Sequence, residues 1–303
     1  TRKGKTQKSN NEDNDIIMVK MKLLNTIMCA FFLGGLIDLY AQTPVLNVEG
    51  GRIEGVVDEE GVTVYKGIPY AAPPVGELRW KHPQPVQPWQ GVRKCDRFGA
   101  ASLQSKATKG TFYWKEFYQN GSPEMSEDCL YLNVWTPAAG KKESKLPVMV
   151  WIHGGAFQNG FGHEIEFDGD AYAQKGVVLV TLNYRLGMCG FLAHPFLNAE
   201  NEGKGSGNYG IFDQLAALKW VKQNIEAFGG NPDNVTVFGQ SAGAGSVQAL
   251  ISSPLAKGYI QRAIIQSGGG LGGIISTKSL QDAEEAGKAC LLYTSPSPRD
   301  RTR

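Results

Sequence analysis

Residues 235–245 read VTVFGQSAGAG, with Ser241 flanked by Gly239 two positions before and Gly243 two after. A serine hydroxyl is a weak nucleophile in water; it becomes effective when exposed, oriented and hydrogen-bonded to a base. A tight strand-to-helix turn supplies the exposure by lifting the side chain above the sheet edge. Glycine suits the two flanking positions because neighbouring backbone comes close there. Ser241 would also stand at a helix N-terminus, where backbone N–H groups favour developing negative charge. The chemistry is acyl transfer, and the Ala242 N–H points to where an oxyanion would form. In a chain with 38 glycines the bare G-x-S-x-G pattern is weak evidence, so its context decides. A second element, HGGAF at 153–157, also follows an apolar run. Its glycines leave the N–H groups of Gly154 and Gly155 facing a substrate oxygen, and with Ala242 they make a three-donor oxyanion hole. Losing one such donor typically costs ~10²–10³ in rate.

The elements around these motifs must hold them at one edge of a sheet. Val148–Ile152 is a continuous apolar run rich in β-branched residues, the mark of a strand buried on both faces. Residues 177–184, 235–238 and 262–268 are three more such runs. Between the second and third, Ile211, Leu215, Leu218, Val221, Ile225 and Phe228 recur three and four apart and predict one face of a helix. Gly229 and Gly230 end it, and GGNPDN before the next strand reads as a plain turn. GSVQALIS predicts a second helix, closed by Pro254. Buried strands alternating with helices indicate a parallel α/β sheet, whose ligands bind at the carboxyl ends of the strands. Both motifs fall there. Nearer the N-terminus, NVEGGRIEGVVDEEGVTVYKGIPYA predicts short antiparallel strands. Residues 73–91, rich in Pro and Trp, predict an ordered loop.

A net charge of +2 over 303 residues gives no reason to expect nucleic acid or an acidic surface as partner. Residues 1–17 are polar. After Met18 and Met21, lysines precede an apolar run of about 15 residues, short of the ~20 that span a bilayer. Ala41 follows as a small cleavage residue. The pattern is that of a secretory signal peptide over 18–41, with 1–17 as translated upstream sequence, and it places the protein outside the cell or in the periplasm. The membrane is then met only during export. At the other end, CLLYTSPSPRD resembles one reading frame of a transposon-end sequencing adapter, so 290–303 are expected to be adapter-derived. Export permits disulfides. Cys189 reads as a buried small hydrophobe. Cys95 and Cys129 could pair across a loop of about 35 residues, worth ~3–4 kcal/mol in the chain-entropy model.

The ordered stretches YKGIPYAAPPVGELRW, SEDCLYLNVWTP, VMVWIHGGAF, LNYRLGMCGFLAHP, GNYGIFDQLAALKWVKQNIEAFGGNPDNVTVFGQSAGAGSV and AIIQSG resemble the type B carboxylesterase/lipase family of α/β-hydrolases. The resemblance covers Gly50 to Gly270. It implies a mostly parallel central sheet with a small N-terminal antiparallel sheet, truncated before the later strands. Residues 42–289 would be the N-terminal part of that domain. It makes Ser241 the catalytic nucleophile, with Gly154, Gly155 and Ala242 as the oxyanion hole. Arg79 with Glu127, and Arg185 with Asp213, match structural salt bridges. The substrate would be a small-molecule ester, and no metal or cofactor is implied. In many relatives the cysteine of the EDC motif bonds to one preceding a glutamine. Here that region reads FGAASLQ, which leaves Cys95 as the nearby candidate partner for Cys129 and the pairing open. The family's acid and histidine follow the serine. All four histidines here (His82, His153, His163 and His194) precede Ser241, and Asp282, Glu284 and Glu285 match no family acid. The triad is therefore expected to be completed beyond residue 289, and these residues alone are expected to be inactive. The family also holds non-catalytic neuroligin-like binding modules, and amide hydrolysis at the same site is a third reading.

Overall fold

The structure is a computed structural model that describes residues 43–118, 122–203, 205–270 and 278–294, with backbone alone for 291–294. The expected leader (1–17), signal peptide (18–41) and residues 295–303 lie outside the described residues.

The strands are β1 (Leu46–Val48), β2 (Gly51–Glu54), β3 (Val56–Val57), β4 (Thr63–Pro69), β5 (Val92–Lys94), β6 (Ala101–Ser102), β7 (Met125–Ser126), β8 (Tyr131–Thr136), β9 (Leu146–Ile152), β10 (Val178–Leu182), β11 (Gly230–Gln240) and β12 (Arg262–Gln266). The helices are α1 (Phe112–Glu116), α2 (Asp170–Gln174), α3 (Gly187–Phe191), α4 (Pro195–Glu200), α5 (Tyr209–Asn224), α6 (Ala242–Ser252) and α7 (Leu280–Thr294).

Among the described residues the central sheet runs in the order β12-β11-β9-β10-β8-β4-β3. From β12 to β10 the pairings are parallel, and β8, β4 and β3 extend the sheet antiparallel. The class is α/β, as expected. The N-terminal strands divide, however: β1 and β2 join β5 in a separate small sheet, while β3 and β4 continue the central one.

The parallel strands sit where the sequence puts them. All five residues of β10 are buried, which is why that run shows no alternation of polar and apolar residues. α5 buries Leu215, Leu218 and Val221 against the sheet, tightens into a 3₁₀ turn at Ile225–Phe228, and stops at Gly229 in the left-handed region (φ 79°). α6 starts three residues earlier than the sequence pattern gives, directly after Ser241.

Two expectations need correction. GGNPDN is not a plain turn before β11 but its irregular first half: Gly230 pairs with Leu146, and the register slips before Val235. Pro232 can donate no ladder hydrogen bond, and the Asn231 side chain accepts one from the Asp233 N–H (2.9 Å). β12 has an apolar centre, Ala263–Ile265, but is exposed at all five residues, with Ile264 at 43% and Ile265 at 40%. Among the described residues it is the sheet's edge, paired through β11 alone.

Candidate active site

Ser241 occupies the joint between β11 and α6 with φ 54° and ψ −120°, a conformation rare for a residue with a side chain. The ladder explains why it persists. The Ser241 N–H donates to the Gln266 carbonyl on β12 (2.9 Å), and the Ser241 carbonyl accepts from Gly245 N–H (3.1 Å) to start α6. The hydroxyl makes no hydrogen bond among the described residues.

The glycines on either side are sterically required. A Cβ at Gly239 would lie 2.6 Å from the Gly243 carbonyl carbon and 2.7 Å from the Ile152 oxygen. One at Gly243 would lie 2.1 Å from the Ile152 oxygen. That clash is with strand backbone and cannot be relieved by a rotamer. Gly243→Ala is expected to cost about 1–3 kcal/mol through overpacking and to displace Ser241. Thermal unfolding and ester turnover of the full-length variant check it, and wild-type values in both would show that the contact yields freely.

β9 delivers the second motif next to the first. A Cβ on Gly154 would stand 2.7 Å from the Gln240 carbonyl and 3.3 Å from the Ser241 Cβ, so the two loops touch at the candidate nucleophile. Gly155 has φ +98° and faces the Asn159 carbonyl, which a Cβ would meet at 2.1 Å. Ala156 and Phe157 follow in the left-handed region (φ 55° and 60°). The loop's carbonyls are engaged: Gly155 accepts from the N–H groups of Gln158 and Asn159, and Phe157 accepts from Gly187. The N–H groups of Gly154, Gly155 and Ala156 make no backbone hydrogen bond among the described residues. The first-turn N–H of Ala242 has no acceptor within its helix. These donors and Ser241 share one edge of the sheet.

His153 contributes more than the sequence pattern shows. Its ring stacks on Tyr184 (centroids 4.3 Å apart), and its Nδ1 donates to the Gly154 carbonyl (2.9 Å). The Tyr184 hydroxyl donates to the His153 carbonyl (2.9 Å). Burial pushes this imidazole down to about 4, so it is neutral and braces the loop. None of the four histidines hydrogen-bonds to Ser241. His82 stacks on Phe212. His163 stacks on Phe98 (4.5 Å) and does not line the cleft. His194 accepts from Phe196 N–H and caps α4.

A cleft of about 550 Å³ opens at Ser241, with Lys106, Tyr113, Tyr118, Asn159 and Gln240 in its walls. Sequence reasoning missed the contribution of 105–118, because a loop with one short helix carries no periodicity to read. The carboxylates that could hold a cation, Asp58, Glu60 and Asp170, have oxygens within 4.8 Å of one another. None of them lines the cleft.

Both expected salt bridges are present. Arg185 Nε and Nη2 donate to the two Asp213 carboxylate oxygens (2.8 and 2.7 Å), buried at the end of β10. Arg79 donates both Nε and Nη2 to Glu127 (2.6 and 2.7 Å) nearer the surface, holding the Glu127 carboxyl below its usual range. The disulfide does not form: Cys95 and Cys129 are separate free thiols. Cys95 is fixed between β2 and β4, its N–H donating to Glu54 and its carbonyl accepting from Lys66. Cys129 lies instead beside Ser102, Arg185 and Cys189. Burial raises both thiols, Cys95 to about 12, so each is packed and unreactive. Cys189, expected to be buried, is half-buried in α3.

A parallel sheet with a serine elbow at one strand end and a glycine-rich loop at the next defines an α/β-hydrolase. Comparison with known proteins narrows this: the model of the carboxylesterase family matches residues 42–297, and the chain belongs to that family. It is 48% identical over 225 residues to the para-nitrobenzyl esterase of Bacillus subtilis (strain 168), covering 74% of this chain and 43% of the relative. To the fumonisin B1 esterase of Sphingopyxis macrogoltabida it is 46% identical over 252 residues, covering 81% and 44%. A solved para-nitrobenzyl esterase superposes with a TM-score of 0.70 at 42% identity, over 82% of this chain and 48% of that one. The Geobacillus stearothermophilus carboxylesterase gives 0.69 at 44%, over 86% and 51%. The chain thus spans about half the length of the relatives it matches.

Proposed function

We propose that the full-length protein is an exported carboxylic ester hydrolase that works through an acyl-enzyme on Ser241. The observation that carries this reading is the contact of two loops: the strained serine joint lies against Gly154, whose neighbours hold N–H groups without backbone partners. In the proposed reaction the Ser241 Oγ attacks the ester carbonyl while a base accepts its proton. The oxyanion of the tetrahedral intermediate accepts hydrogen bonds from Gly154, Gly155 and Ala242. Collapse expels the alcohol, which takes the proton, and water then hydrolyses the acyl-serine by the same steps. The base and the acid that orients it come from outside these 303 residues, so this stretch alone does not turn over. The signal-like segment at 18–41 supports export.

The test is a pair of substrates. Full-length protein is expected to hydrolyse a short-chain p-nitrophenyl ester and to leave the matching p-nitroanilide intact, with the 303-residue stretch inactive on both. Anilide cleavage as fast as ester cleavage would move the reading to amide hydrolysis. Robust ester turnover by the 303-residue stretch would overturn the assignment of the base.

A further inference from the structure

The wall of the cleft built by residues 105–118 carries a charge that ester hydrolysis as such does not need. Of the described residues lining the cavity at Ser241, Lys106 alone is charged. It is exposed and has no carboxylate partner among the described residues. Its loop is held against the oxyanion segment: the Gln104 amide donates to the Gly160 carbonyl (2.9 Å) and accepts from the Gly160 N–H (2.8 Å). The lysine therefore sits on a pinned base. Ser105, Thr108 and Asn159 share the wall with it, while the Thr111 hydroxyl is taken up locally, donating to the Thr108 carbonyl (2.7 Å). An anionic oxygen at this point of the wall meets a cation, while Ala107, Tyr113 and Tyr118 line the rest of it.

Nearby carboxyl groups do not cancel this charge. Glu164 is buried behind the tyrosines of the cleft, and burial pushes its carboxyl up to about 8, leaving it protonated at neutral pH. Glu116 and Glu166 are exposed and do not line the cleft. Lys109, a second cation of the segment, lies over the Trp114 ring (6.0 Å), and Lys115 does not line the cleft.

We infer that Lys106 is a specificity-determining residue, favouring esters that carry a second, ionised carboxylate in the part of the substrate lying along this wall. The inference rests on the esterase reading above. A substrate carboxylate would pair with the ammonium while the ester carbonyl meets Ser241. The hydroxyls of Ser105 and Thr108 would donate to its remaining lone pairs.

The experiment compares p-nitrophenyl butyrate with mono-p-nitrophenyl succinate in the full-length enzyme, reading the ratio of kcat/KM for the anionic over the neutral ester. Lys106→Gln is expected to lower that ratio about 5-fold, the scale of one partly exposed ion pair. Lys106→Arg should retain it, and added salt should reduce it in the wild type. An unchanged ratio in Lys106→Gln, with both esters still hydrolysed, would overturn the role of Lys106 and leave the esterase reading standing. If the wild type hydrolyses neither ester, the esterase reading fails and takes the inference with it.

Discussion

Ser241→Ala in the full-length protein is expected to lower the turnover of a p-nitrophenyl ester by about 10⁵–10⁶-fold, the scale seen when the nucleophile of a serine hydrolase is removed. The variant should fold normally. The hydroxyl makes no hydrogen bond among the described residues, and alanine meets the same strain at φ 54° as serine does, so no native hydrogen bond is lost. The paired measurements are steady-state turnover, a thermal melt and covalent labelling by an organophosphonate that reports on nucleophilic serines. Full-length wild type should label at Ser241, and the variant should neither label nor turn over while melting within about 0.5 kcal/mol of wild type. Wild-type turnover in the variant would remove Ser241 from the mechanism. A collapsed melt would show instead that the hydroxyl supports the joint.

Much of this site was legible because its constraints are local. A glycine two positions either side of a serine, at the end of an apolar run, states a backbone requirement, and the 2.1 Å approach at Gly243 is that requirement in space. The run 178–182 could be read as a strand because burial on both faces removes the alternation of polar and apolar residues, leaving one polar side chain, Thr181, which accepts from the Asn133 amide (3.0 Å). The cleft wall was not legible. Lys106, Tyr113 and Tyr118 reach Ser241 through a long loop whose path depends on tertiary contacts such as Gln104 with Gly160. The bracing ring of His153 was also hidden, since its role depends on Tyr184 standing beneath it 31 residues later. β12 misled in the opposite direction: its apolar composition reads as a buried strand, yet its faces are open among the described residues. Cys95 and Cys129 show the limit of spacing, because closeness in sequence said nothing of the separate neighbours that hold each thiol.

Asp213→Asn is expected to be among the most destabilising single changes in the domain. Arg185 is 2% exposed and Asp213 fully buried, so the substitution leaves an uncompensated guanidinium in the interior, at a typical cost of about 3–5 kcal/mol. Three hydrogen bonds meet at this carboxylate: the two from the guanidinium and one from the Arg185 N–H (3.1 Å). The effect should reach the site as well. Two residues after Arg185, the Gly187 N–H donates to the Phe157 carbonyl (2.7 Å), the bond that holds the far end of the HGGAF loop. A displaced Arg185 backbone would therefore loosen the donors at Gly154 and Gly155, and kcat should fall more than KM rises. Denaturant midpoints separate the charge from the fold. Replacing both partners with apolar residues of similar volume, Arg185→Met with Asp213→Leu, removes the buried charge and should recover most of the lost stability. It would not restore the Arg185 N–H acceptor, so turnover should recover less than stability does. A loss below about 1 kcal/mol in Asp213→Asn would mean that water reaches the guanidinium and that the pair is not the clamp its geometry describes.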